Sequence, residues 1–296
     1  MPTNPPPEFV EEDRVVAFID VLGFREVMQS ADTERRQHAL QLLHRIGGYG
    51  SSHGVNVQNL GFAASITLSA EVTTFSDNVV LSFPTSRVSF QSLGGTRNMP
   101  AHEFFGQLIN SIISIYWQGL HLGLLFRGGI TFGRLYHDSK VVAGEALVRA
   151  VLLEKETRWP RIELEPCLIA QKDVDGNPML DEFLREVAVV EHEGRYFLNT
   201  LAFHQGVWWD YNHFRKGDPA VTSREIIQAV ENIKNSIMDR ITMLEKRISS
   251  QGHVADNSSE YEALLKWRWF QSEFDEAQEH EIWRTVRQQA EQESKG

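Results

Sequence analysis

The stretch "VVAFIDVLGFREVMQ", residues 15–29, decides the fold. An apolar run leads into a lone carboxylate, Asp20, and a glycine, Gly23, follows three positions later. Beyond that glycine the apolar residues recur at helical spacing. The segment therefore reads as a strand that delivers an acid to a loop, with a helix starting directly after it.

Working outward, "RVVAFID" is the strand, and "REVMQSADTERRQHALQLLHRI" has the spacing of an amphipathic helix interrupted by a turn near Ser30. Consecutive glycines in "GGYGSSHG" end it. In "ITLSAEVTTFSDNVVLSF", β-branched and apolar residues flank "SDN", which predicts two strands joined as a hairpin with Asp77 at the tip. Residues 102–122 place Phe105, Leu108, Ile109, Ile112, Tyr116 and Leu120 on one helical face. "LLFRGGITFGRLY" is a further strand, in which Gly128 and Gly129 permit close backbone approach or a bulge.

"GEALVRAVLLEKETR" then predicts a helix, "IELEPCLIA" a strand, "PMLDEFLREV" a helix and "GRYFLNTLAF" a strand. The order βαββαβαβαβ calls for an α/β (α+β) sheet with crossover helices on its face. Past residue 220 the pattern is helical throughout: Ile227, Val230, Ile233, Ile237, Ile241, Leu244 and Ile248 recur every three or four residues. The polar break "SSQGHVADNSS" separates this run from a tryptophan-rich second one, so a helical hairpin is expected, its apolar stripe packed on the same domain or on a dimer mate. The expected organisation is a flexible tail over 1–13, a catalytic-looking domain over 14–205 and a helical extension over 221–292.

Composition narrows the function classes. The chain has 296 residues, 42% of them hydrophobic, enough for a sizeable core. No apolar run approaches a bilayer span, and "MPTNPPPEF" has no basic and apolar signal regions, so a cytoplasmic location without membrane association is expected. With 29 basic residues against 40 acids the net charge is −11, which argues against broad binding to nucleic acid but not against a small anionic ligand. The single cysteine, Cys167, lies in the apolar stretch "EPCLIAQ" and is expected to be a buried core thiol. "DVDGN", residues 173–177, has its glycine too early for a calcium loop and is read as a turn, and none of the eleven histidines forms H-E-x-x-H.

Two acids carry the chemistry. If the first strand and the hairpin are neighbours, Asp20 and Asp77 meet at one edge of the sheet, and a pair of carboxylates there suits two Mg²⁺ or Mn²⁺ ions, since hard cations prefer oxygen and phosphates complete the shell. Each Asp taken alone is equally at home as a turn or cap residue. Gly23 in "DVLGF" lets the loop offer amides to an anion as the helix begins.

"AFIDVLGF", "TFSDNVVLSF", "LLFRGGITFGRLY" and "VVAGEALVRAVLLEKE" resemble, in order, the four core segments of class III nucleotidyl cyclases, over roughly residues 14–170. In particular they resemble those of the bacterial pyrimidine cyclases of Pycsar antiphage defence. The resemblance implies a ferredoxin-like palm and a head-to-tail homodimer with two active sites at its interface. It implies Asp20 and Asp77 as ligands of two divalent cations, Mn²⁺ or Mg²⁺, with the Val21 carbonyl as a third ligand and the amides near Gly23 and Phe24 as a triphosphate cradle. The implied reaction converts UTP or CTP to the 3′,5′-cyclic monophosphate and pyrophosphate, a second messenger made on phage infection for a separately encoded effector.

Departures from the purine cyclases are equally informative. The base-reading lysine position of adenylyl cyclases falls on Thr73, and its partner acid on Val141. The ribose-gripping asparagine and the arginine of the transition state fall on Val148 and Leu152. Another residue must then supply positive charge, or the chain is a catalytically silent nucleotide-binding or dimerisation module. Arg127, inside "FRGGI", is the first candidate, followed by Arg134, Arg149 and Arg158; the alternative for Arg127 is a structural arginine paired with an acid. Tyr49, between glycines, is a candidate base contact or a surface turn residue. Thr73 and Tyr49 can donate to uracil O4 but offer no acid to the cytosine amine, which favours UTP.

Overall fold

The computed structural model describes residues 9–48, 54–56, 64–67, 71–85, 89–92, 95–98, 101–172, 176, 178–180, 182–202, 223–250, 258–279 and 281–293. The chain begins with β1 (Glu12–Leu22), α1 (Phe24–Gln29) and α2 (Thr33–Gly48), followed by β2 (Gly54–Asn56), β3 (Ala64–Thr67), β4 (Glu71–Phe75) and β5 (Asn78–Pro84). Next come β6 (Ser89–Ser92), β7 (Gly95–Asn98), α3 (Ala101–His121), β8 (Leu125–His137), β9 (Val142–Ala143), α4 (Glu145–Glu156) and β10 (Ile162–Leu164). The remainder is α5 (Pro166–Ala170), α6 (Glu182–Ala188), β11 (Val189–His192), β12 (Arg195–Leu198), a 3₁₀ turn (Thr200–Ala202), α7 (Ser223–Ser250), α8 (Ser259–Gln278) and α9 (Glu281–Glu293).

The main sheet runs β11-β12-β10-β8-β1-β5-β4, with β9 added to the end of β8. β1 lies antiparallel between β5 and β8, and β4 closes the hairpin with β5. The four strands β8-β1-β5-β4, with α1 and α2 leading out of β1 and α3 joining β5 to β8, form the interlocked βαββαβ palm that the resemblance implies. β10 then pairs parallel to β8, as a crossover through α4 requires.

Alternation along β1 sets the two faces. Val15, Ala17, Ile19 and Val21 belong to the large core, together with Phe24, Val27, Leu42 and the buried face of α3. Val16 faces the other way, into a small cluster with Val80, Leu135, Ala146 and Ala150 under α4. Gly129 makes that packing possible: a Cβ there would stand 2.4 Å from the Ala150 carbonyl oxygen, and one at Gly128 would stand 2.4 Å from that of Phe18. The close backbone approach read from "FRGGI" is thus present.

The C-terminal helices pack on the palm's own core. Leu264, Trp267, Phe270, Phe274 and Trp283 are buried within it, with Phe270 against Tyr116 at 6.2 Å and Phe274 against Trp117 at 6.1 Å between ring centroids. Three helices stand where a hairpin is expected, because the second helical run breaks between α8 and α9. No helix among the described residues is long and apolar enough to cross a membrane.

Some expectations are corrected. "IELEPCLIA" is a strand only to Leu164; Pro166 starts helix α5, where its fixed φ and missing N–H are well suited to the first turn. Within α5 the buried position is taken by Leu168, and Cys167 is exposed, its thiol 3.0 Å from Glu165 Oε2. The small second sheet, β2-β3-β6-β7, is not foreseen in the sequence reading: Ile66 and Thr67, read there as the start of the hairpin's first strand, belong to β3, and the hairpin strand β4 starts at Glu71.

Candidate active site

Asp20 is the penultimate outward residue of β1, directly across from Asn78 on one side and Arg127 on the other. The next amide, that of Val21, donates to the Asp77 carbonyl at 2.8 Å and so ties the end of β1 to the hairpin tip. Ser76, at φ 57, turns the chain there, and Asn78 Nδ2 donates to Asp77 Oδ1 at 3.2 Å. Both acids therefore stand at one end of the palm, as expected. The loop after β1 carries the other two neighbours: Gly23, at φ 83, precedes α1 and its carbonyl accepts from Val27 at 3.1 Å, while the Phe24 ring is buried in the core.

Charge around Asp20 is dense. Arg127 Nη2 lies 3.3 Å from Asp20 Oδ2 and also pairs with Glu154, which is buried at the end of α4, while Nη1 points to the Thr157 carbonyl at 3.4 Å. Burial pushes the Asp20 carboxyl up to about 6; Arg127 opposes this, and the charges of Glu154 and Asp77 add to it. Lys266 of α8 also acts on this carboxyl, in the lowering direction. Neither Glu154 nor Lys266 was singled out in the sequence. Glu154 was readable in part, since Ala146, Ala150 and Glu154 share the buried stripe of α4.

Asp20 and Asp77 offer only oxygen donors, and three acids outnumber the two cations around Asp20, so the residues present fit Mg²⁺ or Mn²⁺. Among the described residues no group of three or more acids, histidines or cysteines is positioned to hold a metal. Ligands beyond these carboxylates would come from backbone, as with the Val21 carbonyl, or from a bound phosphate.

Thr73 lies on the same sheet face, two strands from β1. Its Oγ1 is 2.7 Å from His137 Nε2, and His137 Nδ1 is 2.7 Å from Ser82 Oγ. Ser82 in turn accepts from Arg14 Nη1 at 2.8 Å, and the buried Arg14 pairs with Glu71 and with Glu12 at 3.4 Å. Burial, reinforced by Arg14, pushes His137 down to about 4, so its ring is neutral near pH 7.

The remaining candidates are dispersed. Arg149 is bound three ways, to Glu145 at 2.5 Å, Glu165 at 2.7 Å and the Phe132 carbonyl at 2.6 Å. Arg158 faces Glu262 at 3.6 Å, and Arg134 is exposed near the far end of β8. Val141, Val148 and Leu152 are all exposed. Tyr49 lies outside the described residues.

No protein-family model matches the chain, and no curated protein does. Among solved structures, the catalytic core of a rhodopsin-guanylyl cyclase with converted specificity, in complex with ATPαS, is similar over 64% of this chain and 95% of its own, at 12% identity and a TM-score of 0.36.

Proposed function

We infer that the chain is a nucleotidyl cyclase of the class III type, acting on a pyrimidine nucleoside triphosphate. The observation that carries this reading is the pairing of Asp20 with Asp77 at one end of a ferredoxin-like palm, locked by the Val21 amide on the Asp77 carbonyl at 2.8 Å. Asp20, Asp77 and the Val21 carbonyl would hold two divalent cations, Mn²⁺ or Mg²⁺, which when bound would supply Lewis acidity toward a ribose 3′-hydroxyl and a triphosphate. In the reaction the hydroxyl proton leaves to solvent, the 3′-oxygen bonds to the α-phosphorus, and the bond to the β-phosphate oxygen breaks. Pyrophosphate departs with that electron pair. The amides around Gly23 and Phe24 serve the triphosphate, and Arg127 holds Asp20 and Glu154 in place.

Thr73 supports the preference for uracil. In the tautomer with the His137 proton on Nε2, Thr73 accepts from the ring, and its own hydroxyl proton is free for O4 of UTP. Cytosine would leave its amine without an acceptor, a penalty on the order of 1–3 kcal/mol. Tyr49 is a second donor in this reading. The open side of the sheet and α4, with Phe75, Val148 and Leu152 exposed, suits a second copy of the chain, so the active unit is a homodimer with its sites at the interface. The cyclic product fits a cytoplasmic second messenger of antiphage defence that acts on a separate effector.

The exposed Val148 and Leu152, apolar where the resemblance calls for polar groups, favour a second reading: a silent module that binds nucleotide and dimerises. Incubation with each of the four nucleoside triphosphates and Mn²⁺ or Mg²⁺, with products identified by mass, decides between them. Cyclic UMP is expected, and it is lost in Asp20→Ala and Asp77→Ala. A dominant cyclic CMP product overturns the base preference, a purine product overturns the pyrimidine reading, and nucleotide binding without any product favours the silent module.

A further inference from the structure

The arginines nearest the site are committed elsewhere. Arg127 is held between Asp20 and Glu154, Arg149 has three partners of its own, and Arg158 sits in a surface pair with Glu262. A triphosphate that releases pyrophosphate gathers charge on its leaving group, and a fixed cation beside it stabilises that charge most in a part-buried site. Among the described residues, one cation without an ion pair at contact distance acts on Asp20 from the C-terminal helices.

Glu262, Lys266, Trp269 and Glu273 of α8 fall within one narrow helical stripe, at i, i+4, i+7 and i+11. Three of the four touch the loop that follows α4. Glu262 pairs with Arg158 at 3.6 Å and Glu273 with Arg161 at 3.1 Å, while Trp269 stacks on Trp159 at 5.6 Å and 14°. The Arg161 guanidinium also lies 4.5 Å from the Trp269 ring centroid. Lys266, between Glu262 and Trp269, is thereby aimed at the same loop and at the end of α4, where Glu154 and the Thr157 carbonyl hold Arg127. It is half-buried, and Arg127, Glu262, Asp20 and Glu154 are the charges within its electrostatic reach. Among the described residues it makes no ion pair at contact distance. A desolvated lysine left in that state is poised for an anion arriving between it and the two carboxylates.

We propose that Lys266 is the polyphosphate-binding cation of the site, reaching the β- and γ-phosphates of the substrate and stabilising the departing pyrophosphate. This rests on the cyclase reading and makes α8 part of the active site. Position 266 takes over the charge that Val148 and Leu152 cannot supply.

The test uses the full chain with Mn²⁺ and two readouts. Binding is measured by calorimetry with each of the four 3′-deoxynucleoside triphosphates, which cannot cyclise, and with the matching monophosphates; turnover is measured by product mass. Lys266→Met keeps the aliphatic stem, and Lys266→Gln serves where that variant does not melt like wild type. Loss of the charge is expected to weaken triphosphate binding about tenfold or more and kcat about 100-fold, with monophosphate binding unchanged. Lys266→Arg should restore most of the affinity, and Lys234→Met, at a surface pair with Asp275, should change neither readout. Wild-type triphosphate affinity and kcat in folded Lys266→Met or Lys266→Gln, alongside an inactive Asp20→Ala, overturns the role of Lys266 alone. A wild-type chain that neither binds nor turns over any triphosphate overturns this proposal and the cyclase reading together.

Discussion

Asp20 is costly to the fold. Its carboxyl ionises at about 6 in the folded chain against an ordinary value of 3.8, because burial outweighs the help from Arg127. Well below pH 3.8 the group is protonated both folded and unfolded and contributes nothing. As pH rises the unfolded chain ionises first, so stability falls, and well above pH 6 the full cost is present, on the order of 2 kcal/mol after solvent screening. Asp20→Asn is therefore expected to raise the Tm at pH 8 in chelator by several degrees, with the gain vanishing at pH 3.5. Added Mn²⁺ should raise the Tm of the wild type and not of the variant. His137 has the opposite sign: held near 4, it stabilises the fold above its ordinary value of 6.5, and that contribution is lost as pH falls toward 4. Thermal melts between pH 4 and 7 should show a shallower acid limb in His137→Gln than in wild type, and an equal slope would rule out a buried neutral ring.

At the scale of elements, the position of α4 depends on the absence of side chains beneath it. Gly129 meets the Ala150 carbonyl and Leu153, and Thr131 Oγ1 donates to the Ala146 carbonyl at 2.8 Å, which pins the helix to β8 one turn away. Gly129→Ala must push the two apart. The expected loss is about 1–3 kcal/mol by urea denaturation. Because Glu154 rides on α4 and grips Arg127, turnover in the proposed reaction should fall further than the small loss of folded protein explains. Unchanged turnover in the folded variant would separate the seating of α4 from the site.

For the whole molecule, the C-terminal helices share the palm's core. Tyr116 and Trp117 of α3 are buried with Phe270 and Phe274, and Arg240 of α7 is buried in a pair with Glu26 of α1, which Arg247 also reaches at 2.8 Å. Removing those helices would expose several large aromatic and aliphatic side chains, each worth roughly 1.5–3 kcal/mol of burial. A chain ending at residue 222 is expected to aggregate or to lose its cooperative melt. A soluble truncation with the wild-type Tm would show that the helices are a separable unit.

Much of this architecture was legible in the sequence because it is local. The apolar run of β1, the "SDN" hairpin, the glycine pair of β8 and the faces of α3 and α7 are periodicities that the chain carries within a few residues, and steric and hydrophobic constraints leave them few alternatives. The meeting of Asp20 and Asp77 was legible only on the condition that the first strand and the hairpin are neighbours, which the pairing of β1 with β5 supplies. β2, β3, β6 and β7 were missed because strands of three or four residues carry too short a pattern, and α5 because an apolar run is as compatible with a buried helix turn as with a strand. What tertiary structure alone decided is which charges meet. Arg127 between Asp20 and Glu154, His137 beneath Thr73, and Lys266 of α8 within the field of Asp20 arise from the packing of distant segments. Electrostatic energy depends on distance and burial, and neither is written in the order of residues.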